Sequence, residues 1–355
     1  MKDDGPRKGR GAISNPEGRF ATWKSEAVDD GWAHEEDDRK IPTELLVDSA
    51  KTIIARNTSP DVPFDRSINP YKGCEHGCVY CYARPTHAYL DLSPGIDFET
   101  RIFYKPDAAR LLEEELRHPG YECAPIAMGT NTDPYQPAEQ KLQLTREILE
   151  VLLRFSHPVT IATKGAGLER DLDLLAELAR RNLTTVMISV TTLDNELKRV
   201  LEPRTASPAK RLALIEKLRA ANVPVGVLVA PVIPSINDSE IERILETVAA
   251  AGAMSARYIL LRLPFEVAGL FREWLAAHYP MRAEHVMSLV QQSRGGRDYD
   301  ARWGARMRGS GIFATTIAKR FRLAARRFGL DGDMPTLDTQ SFEAPLREGD
   351  QLALF

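Results

Sequence analysis

Cysteine is scarce in this chain, with four residues in 355, too few to staple a secreted fold by disulfides. No stretch approaches the roughly 18 apolar residues that a membrane span requires; the longest candidate is 223–233. The first thirty residues have no apolar core of the kind a secretory leader carries. These absences predict a cytoplasmic protein in a reducing compartment, with no membrane partner. Excess charge is also lacking. A net charge of −3 gives no bulk attraction to a polyanion. What remains, 43% hydrophobic residues over 355 positions, is enough for a large core with extensions.

The scarce cysteines are clustered. Three of the four lie within eight residues, Cys74-x3-Cys78-x2-Cys81, inside the stretch 67–83, SINPYKGCEHGCVYCYA. Gly73 and Gly77 allow the sharp backbone turns that bring thiolates at this spacing toward one inorganic centre. Three thiolates are one short of the four that complete an iron–sulfur cluster or a structural zinc site, so one metal position is left open. A zinc knuckle with His76 or His87 as fourth ligand is the alternative reading of the same residues. With either centre, iron–sulfur or zinc, a nucleic-acid-binding protein or redox sensor without turnover is a further reading.

Downstream, apolar runs of strand type alternate with amphipathic helical patterns, the mark of β-α units around a parallel sheet. Strands are expected at 124–128, 159–163, 184–190, 223–232 and 257–263, with the approach to Cys74 as the first of six. Helices are expected at 107–117, 139–155, 168–181, 207–221 and 238–251, with Pro208 at the first position of the fourth. Residues at the C-terminal ends of such strands converge on one mouth. The division expected is an N-terminal extension at 1–55, disordered or draped over the core, a barrel at 56–265, a helical basic region at 266–330, and an acidic tether at 331–355.

The cysteine spacing, with Tyr80 before the third cysteine, resembles the signature of the radical S-adenosylmethionine (SAM) enzymes. The resemblance implies a partial (β/α)6 TIM-like barrel, a [4Fe–4S] cluster on Cys74, Cys78 and Cys81, and SAM chelated at the open iron. One electron from a reductant such as flavodoxin or ferredoxin then cleaves SAM to a 5′-deoxyadenosyl radical. It also implies that Tyr80 lies near the adenine and that Gly129, Thr130 and Asn131 approach the SAM amino group, although the family's glycine-glycine-glutamate pattern is replaced here by GTNTD. Lys164, Ser189 and Thr191 would reach the carboxylate and ribose, and the planar fork of Arg204 would suit the carboxylate. The Cys-x-Tyr-Cys-Tyr pattern and the stretch 201–208, LEPRTASP, make residues 60–265 resemble the spore photoproduct lyase branch. Those lyases reverse a thymine dimer in DNA, and they use a cysteine and nearby tyrosines to return a hydrogen atom. Cys123, Tyr80 and Tyr82 are the candidates for that role. Radical chemistry on RNA, a protein or a small molecule is the second enzymatic reading.

Two features outside the barrel point to DNA. Residues 294–330 carry ten Arg and Lys against two Asp, interleaved with Tyr299, Trp303, Phe313, Phe321 and Phe328. On a helix from Phe313, Ile317, Phe321, Ala324 and Phe328 share its face, opposite Lys319, Arg322, Arg326 and Arg327. The final residues, Gln351, Leu352, Ala353, Leu354 and Phe355, resemble the peptide that docks in the bacterial sliding clamp, an expected second partner.

Overall fold

Six apolar runs rich in β-branched residues become the parallel strands of one sheet in the computed structural model, which describes residues 5–21 and 41–346. In chain order the strands are β1 (Glu44–Val47), β2 (Ile54–Arg56), β3 (Arg66–Ile68), β4 (Tyr71–Lys72), β5 (Arg101–Tyr104), β6 (Ile126–Met128), β7 (Val159–Thr163), β8 (Thr184–Ser189), β9 (Val225–Val232) and β10 (Ala256–Leu260). The large sheet has the order β10-β9-β8-β7-β6-β3-β2, and every pairing is parallel except β2 with β3. Register is continuous across its centre, with Ile126 opposite Val159, Val159 opposite Thr184 and Val186 opposite Val225. Among the described residues the edges β10 and β2 do not meet, so the sheet is an open, partial barrel. A small sheet, β1-β5-β4, lies beside the entry to the cysteine loop.

Between strands the chain returns through helices whose apolar faces cover the sheet. Ile241, Ile244, Leu245 and Val248 line the buried side of Ile241–Ala250, and Leu214, Ile215 and Leu218 that of Pro208–Ala220. Ser207 accepts from the Lys210 N–H at 3.3 Å and caps the latter helix. Truncating one such leucine costs about 2–5 kcal/mol, because the cavity left behind collapses only in part. The expected helix at 139–155 is broken in two, Glu139–Leu142 and Leu144–Arg154. Gln143 between them has φ +55°, and the buried Glu139 carboxylate turns back to accept the Thr145 N–H. The pattern at 168–181 likewise begins with a 3-10 turn, Ala166–Asp171, before the helix Leu172–Arg180.

Helices Val267–His278 and Ala283–Gln292, inside the region 266–330 expected to be helical, bury Trp274, Phe271 and Val290 in one cluster with Val79, Tyr80 and Leu201. The basic helix spans Gly311–Arg327 and buries Ile317, Phe321 and Ala324, with Lys319, Arg322, Arg326 and Arg327 exposed as expected. The acidic segment expected to be a tether is not free over its described part. The Asp338 N–H donates to the Asn182 carbonyl, and Phe342 packs on Phe155 and Tyr121. The clamp-like peptide at 351–355 lies outside the described residues.

Candidate active site

The cysteine loop leaves β4 through Gly73, whose φ of +83° and close neighbours exclude a side chain: an added Cβ would stand 2.8 Å from the His87 ring. Gly77 turns the chain again at φ +67°. The loop is fixed by its backbone, with Cys74 N–H donating to the Phe98 carbonyl at 2.9 Å and Arg204 N–H to that of His76 at 3.2 Å. Gln136 accepts the Glu75 N–H at 3.0 Å.

This loop roofs a cavity of about 190 Å³ at the C-terminal ends of the parallel strands, where α/β barrels place their chemistry. Cys74, Cys78, Cys81, Tyr80, Tyr82, Gly129, Thr130, Asn131, Lys164 and Ser189 all face it, so ten of the residues named from sequence are brought together. Gly129, at φ +87°, has no room for a side chain, since a Cβ would stand 2.0 Å from the Ala162 carbonyl oxygen. The turn it opens is organised by Asn69. That side chain donates to Thr130 Oγ1 and accepts the Asn131 N–H, both at 3.0 Å.

Two buried carboxylates that were not singled out from sequence order the site. Asp133 accepts from Thr163 Oγ1 at 2.6 Å and the Lys164 N–H at 2.7 Å, and faces His76 Nδ1 at 3.3 Å. Burial alone would raise its carboxyl, but His76 and these donors hold it down at about 2. Glu202 lies beneath the cavity, fully buried behind Tyr80. It accepts from Tyr80 Oη, from Thr191 Oγ1 at 2.7 Å and from Arg211 Nη2 at 2.5 Å. Against its own desolvation, Arg211 and Lys164 hold it at about 2. Lys164 in turn is kept above its ordinary value, because Glu202 and Cys78 outweigh the effect of burial. Both carboxylates sit in stretches already noted, GTNTD and LEPRT; a buried acid beside a buried base was the usable signal.

Three sequence-named residues lie elsewhere. Thr191 is beneath the floor, tied to Glu202 and the Ala230 carbonyl rather than lining the cavity. Arg204 does not line this cavity; it pairs with Glu75 of the cysteine loop at 3.0 Å and edges a separate groove with Gly165 and Arg170. Cys123 precedes β6 and therefore lies at the opposite, N-terminal edge of the sheet, between Arg66 and Asp338. A residue before a parallel strand cannot share a mouth with residues after it.

The donor set suits an iron–sulfur cluster. Cys74, Cys78 and Cys81 are free thiols on one loop facing one cavity. Burial pushes Cys78 up to about 12 and Cys74 well above its ordinary value, which favours the neutral thiols until a cationic centre draws the protons off. A cluster distributes its thiolates over separate irons, whereas a zinc knuckle needs a fourth side chain on a single ion. Neither histidine of the zinc alternative is turned toward such an ion: His76 faces Asp133, and His87 Nε2 lies 3.0 Å from the Arg101 carbonyl.

Comparison with known sequences and structures agrees with this geometry. The sequence model of the radical SAM superfamily matches residues 68–248. An uncharacterized protein of Mycobacterium tuberculosis is 43% identical over 233 residues, covering 65% of this chain and 68% of that protein. One from Methanocaldococcus jannaschii is 24% identical over 227 residues, covering 64% and 81%. Among solved structures, spore photoproduct lyase complexed with dinucleoside spore photoproduct superimposes with a TM-score of 0.58 at 17% identity, covering 82% of this chain and 84% of that one, a likeness of fold.

Proposed function

Because this chain belongs to the radical SAM superfamily, an enzyme family that uses a [4Fe–4S] cluster and SAM, we propose that it performs radical chemistry on DNA, as a lesion-repair enzyme related to spore photoproduct lyase. Cys74, Cys78 and Cys81 would hold the cluster, and Gly129, Thr130, Asn131, Lys164 and Ser189 would receive SAM. Bound there, the pair supplies a 5′-deoxyadenosyl radical on arrival of one electron from a reductant, for which flavodoxin or ferredoxin is the expected donor.

The chain's own residues prepare that chemistry. Glu202 fixes the Tyr80 ring from below, and Lys164 lies 5.9 Å from the ring centroid, so a cation and an aromatic face meet where a nucleoside and carboxylate would lie. Gly129 lets backbone approach a ligand that a side chain would displace. Tyr82 donates to the Thr130 carbonyl at the mouth and remains 43% exposed, within reach of a substrate radical as a hydrogen donor.

The observation that carries the DNA reading is the rim. Arg262 stacks on Tyr82 at 4.6 Å and reaches Met307 Sδ at 3.4 Å, joining the cavity to the turn Ala305–Arg308. There Arg306 stacks on Trp303, which is 58% exposed. Arg306 is itself neutralised by Asp61 at 2.5 Å, so Arg262 at the cavity edge is the cation offered to a phosphate and the exposed indole is the platform for base stacking. The exposed cations of Gly311–Arg327 contribute differently. That helix starts beside Leu260, at the cavity end of β10, and Leu330 beyond it bonds to Ala256 at the other end, so Arg326 and Arg327 lie far from the mouth.

Anaerobic reconstitution with iron and sulfide, then SAM and dithionite, should yield 5′-deoxyadenosine. Adding ultraviolet-damaged DNA should deplete a photoproduct. Cleavage of SAM without any change in damaged DNA, but with turnover of another substrate class, would end the DNA reading and leave the reaction class standing.

A further inference from the structure

The outer side of the cysteine loop is covered by the N-terminal segment. Gly11 sits so close to it that an added Cβ would stand 1.7 Å from the Gly77 carbonyl oxygen. The N–H groups of Gly11 and Ala12 both donate to the Glu99 carboxylate, at 3.0 and 2.8 Å. Glu99 is fully buried, and its charge partner is the equally buried Arg84. Arg84 in turn donates from Nε to the Cys78 carbonyl at 2.9 Å and from Nη1 to that of Gly95 at 2.8 Å. One carboxylate thus joins the segment to a ligand-bearing turn through charge-assisted hydrogen bonds. Beyond this point the segment is anchored again: Asn15 and Asp97 exchange hydrogen bonds at 2.9 and 3.0 Å, and Arg19 lies 3.9 Å over the Phe265 ring.

Resting on the reading that the three cysteines hold a cluster, we propose that Glu99 is a positioning residue for the cysteine loop and that Arg10, Gly11 and Ala12 form a strap it holds against Gly77. The strap excludes water and oxidants from the cluster's outer side, and its backbone sets part of the polar surroundings on which cluster potential depends. A cavity on one side and a strap on the other leave the SAM face as the open approach.

Gly11→Ala tests this most directly, because the strap must lift to accommodate the methyl group. In the reconstituted full chain, iron release to a chelator and loss of cluster absorbance in air should each accelerate about tenfold, in the range seen when outer support of a metal site is lost. The midpoint potential of the cluster should shift in the same variant. Arg10→Ala, which loses the bond to the Glu99 carbonyl at 2.8 Å without a clash, should give a smaller acceleration and guards against misfolding of the first variant. Asn15→Ala, at an exposed anchor, should release iron at the parent rate. If the parent holds a cluster and both strap variants release iron at its rate with an unmoved potential, the strap assignment is overturned. If the parent takes up no cluster, the reading of the cysteines fails instead, and the strap with it.

Discussion

The two ends of the parallel sheet are built on opposite principles. At the C-terminal end, glycines with positive φ and buried charges, Asp133 beside His76 and Glu202 between Arg211 and Lys164, surround an open cavity. At the N-terminal end, Tyr121, His157, Phe155 and Phe342 close on one another with ring centroids 5.4 to 6.4 Å apart. Buried charge is costly unless paired, whereas the aromatic closure is stabilised by ring packing, with Arg66 and Arg117 lying over the Tyr121 and Phe155 rings at 5.6 and 5.1 Å. The end that carries the more expensive groups is the one arranged for chemistry.

The largest effects should fall at the cavity end. Cys78→Ala should abolish both cluster uptake and 5′-deoxyadenosine formation; retention of a full cluster would break the assignment of the loop. Glu202→Ala leaves Arg211, itself fully buried, without its carboxylate. Denaturant unfolding should then show a loss of about 3–5 kcal/mol, the usual cost of orphaning one member of a buried pair. A loss under about 1 kcal/mol would mean that water enters the floor and that the pair is not sealed.

At the closed end the effect is on stability and its pH dependence. His157 is held neutral at about 4 by burial, with Nε2 2.7 Å from Tyr121 Oη and Nδ1 3.0 Å from the Pro158 carbonyl. Since its folded value lies below the unfolded value near 6.5, its contribution is complete above pH 6.5. It declines as pH falls toward 4, by about 3 kcal/mol in all. His87 and His278 are displaced in the same direction by burial, so His157→Phe should reduce the acid slope measured by thermal melting without abolishing it; an unchanged slope would place the titration elsewhere. Smaller again is Trp303→Ala at the rim, which should weaken single-stranded DNA by about 1–3 kcal/mol, the worth of one stacked base. Unaltered affinity would remove the indole from the substrate path.

Much of this contrast was legible in the amino-acid sequence. The cysteine spacing and the β-branched runs gave the loop and the six parallel strands, because thiol spacing and strand periodicity are local signals; the other cavity residues were named through the resemblance to the radical SAM family. Arg204 was chosen over Glu202, two residues away, because a guanidinium near a ligand loop reads as an anion site. Only the fold reveals that Glu75 already occupies the one and Arg211 the other. The N-terminal segment shows no periodicity, since its order comes from Glu99, Asp97 and Phe265, residues far along the chain. Cys123 had a plausible chemistry and a position just before a strand; the position, not the chemistry, decided its place.

Cys123 therefore gives the finest test of the comparison, through an effect expected to be close to zero. Burial raises its thiol to about 11, so it is a protonated, modestly packed side chain beside Arg66 at the closed end. Small cysteines in such surroundings behave as apolar residues. Cys123→Ala should leave cluster content, 5′-deoxyadenosine yield and the ratio of product to by-product on damaged DNA unchanged, while Tyr82→Phe, at the mouth, should raise by-product. Were the ratio to move in Cys123→Ala and not in Tyr82→Phe, a hydrogen atom would be travelling from the edge that precedes β6 to the cavity that follows it. The division of labour between the two ends of the sheet would then be false.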